Sequence, residues 1–209
     1  LPLKIAIIDY GMGNLKSIQN ILKFLNVESE ITYNSSRILN SDGVILPGVG
    51  AFGDAMENLK NRKLISTINS LICQKKPLLG ICLGLQLLFS ESHEYGISRG
   101  LDVISGLVIK FDKKKVDKIP QIGWNNVDFQ DKEHFLVQGI PNNSFFYFVH
   151  SYYGIPKDET SILGKTKYRK VEFASMIQKG SVIATQFHPE KSGKKGIMLY
   201  RNFINYCKR

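Results

Sequence analysis

Pro77-Leu-Leu-Gly80-Ile-Cys82-Leu-Gly84-Leu-Gln86-Leu-Leu-Phe89 is an apolar run that breaks at a glycine, presents one thiol, and resumes at once with helical spacing. It predicts a strand over 78–81, a sharp turn at Cys82 and a helix over 83–90. The flanking glycines suit such a turn because its backbone leaves no room for a Cβ. A side chain placed there is pushed out of the sheet at a helix N-terminus. Exposed N–H groups and the helix dipole at that point favour thiolate over thiol. An isolated cysteine in apolar sequence is more often a small buried hydrophobe, and Cys73 and Cys207 are read that way.

Working outward, apolar runs of strand length alternate with amphipathic stretches. Strands are predicted over 4–9, 29–33 and 43–46, and helices over 15–25, 54–60 and 64–74. Parallel strands need crossover connections, so this alternation predicts an open, largely parallel α/β sheet with helices on both faces. After Val103 the texture changes to strands and turns: strands over 108–111, 124–129, 145–149, 173–178 and 181–186, added antiparallel at one side, with a closing helix over 196–208. No repeat or low-complexity linker interrupts the chain, which reads as one domain over 1–209.

A second constellation lies far from the thiol, at Thr185-Gln-Phe-His188-Pro189-Glu190-Lys191-Ser192. If the strand over 181–187 continues, residues two apart share a side, and His188 and Glu190 face together. Imidazole titrates near neutral pH and can serve as the base for a thiol, while a carboxylate selects its tautomer and steadies the imidazolium. Cys82, His188 and Glu190 are therefore the candidate catalytic residues.

Gly80-x-Cys82-x-Gly84-x-Gln86 with His188-Pro189-Glu190 resembles the class I, triad-type glutamine amidotransferases, which hydrolyse glutamine to glutamate and ammonia. Asp9-Tyr-Gly-Met-Gly-Asn14, Leu46-Pro-Gly-Val-Gly50-Ala-Phe-Gly53, Ile122-Gly-Trp-Asn125 and Tyr147-Phe-Val-His-Ser-Tyr152 narrow the resemblance to the glutaminase subunits of imidazole glycerol phosphate synthase. It runs over essentially the whole chain. The implied partner is a (β/α)8 cyclase subunit, bound as a heterodimer, that uses the ammonia in histidine biosynthesis. The resemblance also implies glutamine contacts at Gln86, Glu94 and the Ser151-Tyr152 backbone, with Glu94 suited to the α-ammonium. It implies partner-facing positions at Trp124, Asn125, Tyr147 and Lys191, and glutaminase activity that stays low until the partner binds substrate. One departure is Gln121, where these relatives usually carry histidine, and it puts a partner contact there in doubt. Ammonia supply for sugar amidination, and a non-catalytic interaction subunit, are the competing readings.

Pro47-Gly48-Val49-Gly50 is read as part of an oxyanion hole. Thiolate attack on a carboxamide creates an oxyanion that N–H donors must already face. The expected donors are Leu83, just after the thiol, and the Gly48–Val49 peptide. Gly11-Met-Gly13 invites a dinucleotide-binding reading, but the third glycine position is Lys16, so that motif fails. Asn14 is either a helix N-cap or, by resemblance, an interface residue.

The chain has 209 residues, 43% hydrophobic, enough for an α/β core. Its net charge of +10 concentrates at 113–115, 165–170 and 191–195. Those clusters lack interleaved aromatics and any nucleic-acid-binding signature, so they read as solvated surface or as a face for an acidic partner, not as a nucleic-acid site. No apolar run approaches the ~18 residues of a membrane span, and no leader pattern opens the sequence. Three cysteines without framework spacing suit a reducing compartment, so the expected location is the cytoplasm. No zinc pattern occurs, and the chemistry calls for no metal or organic cofactor.

Overall fold

A computed structural model describes residues 3–208. In chain order the elements are β1 (Lys4–Ile8), α1 (Leu15–Phe24), β2 (Glu28–Thr32), α2 (Ser35–Leu39), β3 (Gly43–Leu46), α3 (Phe52–Asn61), α4 (Leu64–Cys73), β4 (Leu78–Ile81), α5 (Leu83–Leu87), β5 (Phe89–Ser92), β6 (Ser98–Arg99), β7 (Ile104–Lys110), β8 (Gln121–Phe129), β9 (Ser144–His150), β10 (Tyr152–Pro156), β11 (Ile162–Tyr168), β12 (Val171–Lys179), β13 (Val182–Thr185) and α6 (Gly193–Cys207).

The main sheet has nine strands in the order β2-β1-β3-β4-β13-β12-β11-β8-β9. Pairing is parallel from β2 through β4 to β13, and antiparallel from β13 outward to β9. The parallel strands β3, β4 and β13 are buried at every position, as strands covered on both faces must be. The α/β reading of the sequence is therefore borne out. The last strand of the sheet in sequence is inserted beside the fourth, with Thr185 opposite Ile81. That crossover brings residue 188 to the carboxyl edge next to Cys82.

Three expectations need correction. The helix after Cys82 ends at Leu87 rather than reaching residue 90, because Phe89–Ser92 leaves it to pair in parallel with β7. A second, four-stranded sheet, β10-β7-β5-β6, was not anticipated; its long-range pairings leave no local periodicity to read. Cys73 is exposed and Cys207 half-buried, so only Cys82 of the three lies in the interior.

The elbow glycines have a measurable reason. A Cβ on Gly84 would lie 2.0 Å from the Leu46 carbonyl oxygen, and one on Gly48 would lie 2.7 Å from the Leu83 Cβ. The thiol-bearing turn thus packs directly on the end of β3, and neither neighbour is a flexible side-chain end. Gly84→Ala is expected to cost about 2–4 kcal/mol, since backbone must shift to relieve the overlap. Gly53→Ala, whose Cβ would meet only the Ser98 hydroxyl at 3.3 Å within α3, is expected to be neutral or slightly stabilising. Urea unfolding midpoints of the two variants provide the comparison.

Candidate active site

Cys82 has φ 55° and ψ −107°, a left-handed conformation that costs a non-glycine residue of order 1–3 kcal/mol. Its N–H is held by the Thr185 carbonyl at 2.8 Å, and its own carbonyl accepts from Leu85 at 3.0 Å, so strand and helix hold the strained residue from both sides. The side chain is 7% exposed on the wall of a cavity of about 330 Å³. The helix beyond is five residues long, so its dipole is small and contributes less to a thiolate than the sequence suggested.

His188 lines the same cavity. Its Nδ1 lies 2.8 Å from Glu190 Oε1, and both side chains are almost fully buried. The pair does not arise from a continued strand, as the i, i+2 spacing implied. Only His188 is extended; Pro189–Lys191 forms a 3-10 turn that swings Glu190 back onto the ring. Ser192 secures the turn, donating its hydroxyl to the His188 carbonyl at 2.6 Å and accepting the Tyr147 N–H at 3.0 Å.

With Nδ1 bound to the carboxylate, Nε2 is the nitrogen left over, and among the described residues it has no hydrogen-bond partner. Cys82 and the ring line one cavity, and the sulfur influences the ring's protonation. Burial is the largest single influence on His188 and lowers its pKa, but the combined hydrogen-bonding and charge effects of Cys82 and Glu190 outweigh it and raise the pKa to about 10. At neutral pH the imidazole is therefore held protonated.

Around the sulfur, Gln186 Nε2 and the Val149 carbonyl stand at 3.7 and 3.8 Å. Gln86 lines the cavity, but its amide nitrogen is already committed to the Tyr152 carbonyl at 2.9 Å and Gln186 Oε1 at 3.1 Å. Glu94 also faces the cavity, and its Oε2 accepts the Phe52 N–H at 2.7 Å, which fixes it at the start of α3. Ser151 and Tyr152 form part of the wall. Leu83 is the first helical residue, so its N–H has no intrahelical partner; Val49 borders the cavity, and Gly48 packs beneath it against Leu83.

His150 was quoted within a motif but given no role by the sequence. It is buried, with Nδ1 2.8 Å from the Tyr152 carbonyl and Nε2 3.0 Å from Gln121 Oε1. Burial pushes its pKa down to about 4, helped by the nearby His188 and opposed by the Tyr152 carbonyl. The ring is therefore neutral and donates from Nδ1 to the Tyr152 carbonyl, with Nε2 facing the Gln121 side chain. Gln121 is itself buried and pairs with this internal histidine.

The remaining candidates gather elsewhere. Trp124 is 56% exposed and stands across β8–β9 from Tyr147, their rings edge to face with centroids 6.2 Å apart. Lys191 Nζ lies 5.7 Å from the Tyr147 ring centroid, which links this face to the turn carrying Glu190. Asn125 points the other way and donates to the Lys167 carbonyl at 3.0 Å. Asn14 occupies the N-cap position of α1 without capping a backbone N–H; its Oδ1 accepts from the Ser17 hydroxyl at 2.8 Å.

The sequence pattern of the family described as glutamine amidotransferase class-I matches residues 6–206. The chain belongs to that family. It is 52% identical over 200 residues to imidazole glycerol phosphate synthase subunit HisH of Methanocaldococcus jannaschii, covering 96% of this chain and 98% of the relative. Against the subunit of the same name from Moorella thermoacetica it is 49% identical over 95% and 93% of the two chains. Among solved structures, PurLQS from Thermotoga maritima superposes with a TM-score of 0.74 at 14% identity, over 99% of each chain. The Trypanosoma brucei CTPS glutaminase domain with bound acivicin superposes at 0.65 and 16% identity, over 97% of this chain and 94% of that one. At such low identity these two structures speak for the amidotransferase fold alone. Among the described residues no helix is long and apolar enough to cross a membrane.

Proposed function

We propose that this chain is the glutaminase subunit of an imidazole glycerol phosphate synthase, hydrolysing glutamine to glutamate and delivering the ammonia to a (β/α)8 cyclase subunit. The observation that carries the reading is that a thiol on a strained elbow and a buried imidazole–carboxylate pair, from opposite halves of the sequence, share one cavity. Relatives 43–52% identical bear that enzyme's subunit name, which disfavours the sugar-amidination alternative. A non-catalytic subunit would have no need to keep a strained cysteine beside such a pair.

In the mechanism, the Cys82 thiolate attacks the side-chain carboxamide carbon of glutamine, and the carbonyl electrons collect on oxygen. The Leu83 N–H and the Gly48–Val49 peptide are the donors we assign to that oxyanion. His188, protonated at the outset, gives its proton to the departing nitrogen as the C–N bond breaks, leaving a γ-glutamyl thioester and ammonia. The neutral ring then takes a proton from water as it attacks the thioester. The C–S bond breaks, glutamate leaves, and the thiolate–imidazolium pair is restored. Glu190 accepts the Nδ1–H and so keeps Nε2 as the nitrogen that gives and takes the proton.

Ammonia is captured by protons in bulk water, so a docked acceptor fits this chemistry. Trp124, Tyr147 and Lys191 support a docking face there, since an exposed tryptophan packed on a half-buried tyrosine beside a lysine matches the composition of interface anchors. Asn14 and Asn125 remain candidates for its margin. The assay is glutamate release by the purified chain, alone and with the cyclase subunit and its ligand. Expected is a low rate alone that rises at least tenfold in the complex. Equal rates in the two conditions would refute partner control, and no glutamate in either would refute the glutaminase itself.

A further inference from the structure

Apart from its two histidines, the cavity wall beside Cys82 carries one cation, Lys110, and one carboxylate, Glu94. We infer that Lys110 is a specificity-determining residue that binds the substrate's α-carboxylate, so that the site selects a free amino acid over the same side chain with a blocked headgroup. This assignment rests on the glutaminase reading and extends it.

The placement argues for it. Lys110 ends β7 directly opposite Tyr152, the first residue of β10, so the two side chains share a face of the second sheet. Its Nζ lies 5.7 Å from the Tyr152 ring centroid, a cation–π contact that holds a long, mobile side chain at the cavity. Among the described residues no carboxylate forms an ion pair with Lys110, so its charge is uncommitted. Glu94 lines the same cavity and is fixed there by the Phe52 N–H, which its Oε2 accepts at 2.7 Å. One fixed anion and one uncommitted cation in a single cavity complement the paired charges of a zwitterionic headgroup. The Ser151 and Tyr152 backbone can supply neutral hydrogen bonds there, but only Lys110 supplies a charge that distinguishes carboxylate from amide.

The test is steady-state ammonia release in the complex with the cyclase subunit, comparing glutamine with its α-amide, whose headgroup lacks the negative charge. Wild type should prefer glutamine. Lys110→Met should lower kcat/KM for glutamine about 10–100-fold, mainly through KM, as expected on losing a charge-assisted hydrogen bond. It should leave the α-amide value unchanged, and Lys110→Arg should restore the preference. Equal losses on both substrates would show that Lys110 only supports the fold, and no loss on either would show that it does not touch substrate; each overturns the assignment. If wild type turned over neither compound, the glutaminase reading itself would fall, and this assignment with it.

Discussion

Cys82→Ala is expected to reduce glutamine hydrolysis by more than about 10⁴-fold, while the complex still makes product from added ammonium salts. The first effect follows because no other group in the cavity can form a thioester, and nucleophile loss in triad enzymes removes nearly all of the chemical step. The second follows because Cys82 is 7% exposed in a cavity wall and its side chain contributes no exposed surface to the Trp124 face proposed for docking. Glutamate and cyclase product should be measured on the same preparation. If both activities vanish together, misfolding or failed docking is the cause. If glutamate release persists near the wild-type rate, the assignment of the nucleophile is wrong.

Glu190→Gln should lower kcat/KM by roughly 10²–10⁴-fold at neutral pH, and it should also change how stability depends on pH. An amide can still occupy the 2.8 Å contact to Nδ1, but it no longer stabilises the imidazolium and can enforce the wrong tautomer. In the wild-type protein burial opposes protonation of His188, while Cys82 and Glu190 together carry its pKa to about 10. A histidine whose pKa is raised by folding contributes stability that is complete below the unfolded value of about 6.5 and is lost as pH climbs through the folded value. Wild-type stability should therefore decline between about pH 6.5 and 10. In Glu190→Gln that decline should be shallower and begin at lower pH, because one of the two stabilising partners is gone. Urea unfolding of both proteins at pH 7 and pH 9.5 tests this, and parallel slopes would show that Glu190 does not govern the histidine's protonation. Glu190 Oε2 and the Tyr200 hydroxyl are both buried without a protein partner, so the carboxylate's other oxygen adds little to holding the pair.

The local readings that succeeded rest on short-range geometry. A strand, a sharp turn and a helix around Cys82 were legible because glycines at 80 and 84 are needed where Gly84 meets the Leu46 carbonyl and Gly80 meets the Gly84 backbone. The parallel α/β class was legible because strands and amphipathic helices alternate over the first ninety residues. The second sheet was not, since β5 and β6 are short and pair with partners whose positions no local period encodes. The His188–Glu190 contact was anticipated for the wrong reason: extended spacing suggested it, and a 3-10 turn after Pro189 produces it.

Gln121 marks the boundary between the two kinds of knowledge. Its identity is a departure visible in the sequence, but its role depends on His150, twenty-nine residues away and opposite it across β8 and β9. The sequence by itself determined the fold class, the elbow and the residue types able to cleave an amide, because these follow from backbone sterics and from the chemistry of side chains. Only the tertiary structure decided which of them meet. The parallel pairing of β13 with β4 sets the Cys82 turn beside His188, where Cys82 and Glu190 outweigh burial and hold that ring protonated, whereas burial keeps the neighbouring His150 neutral.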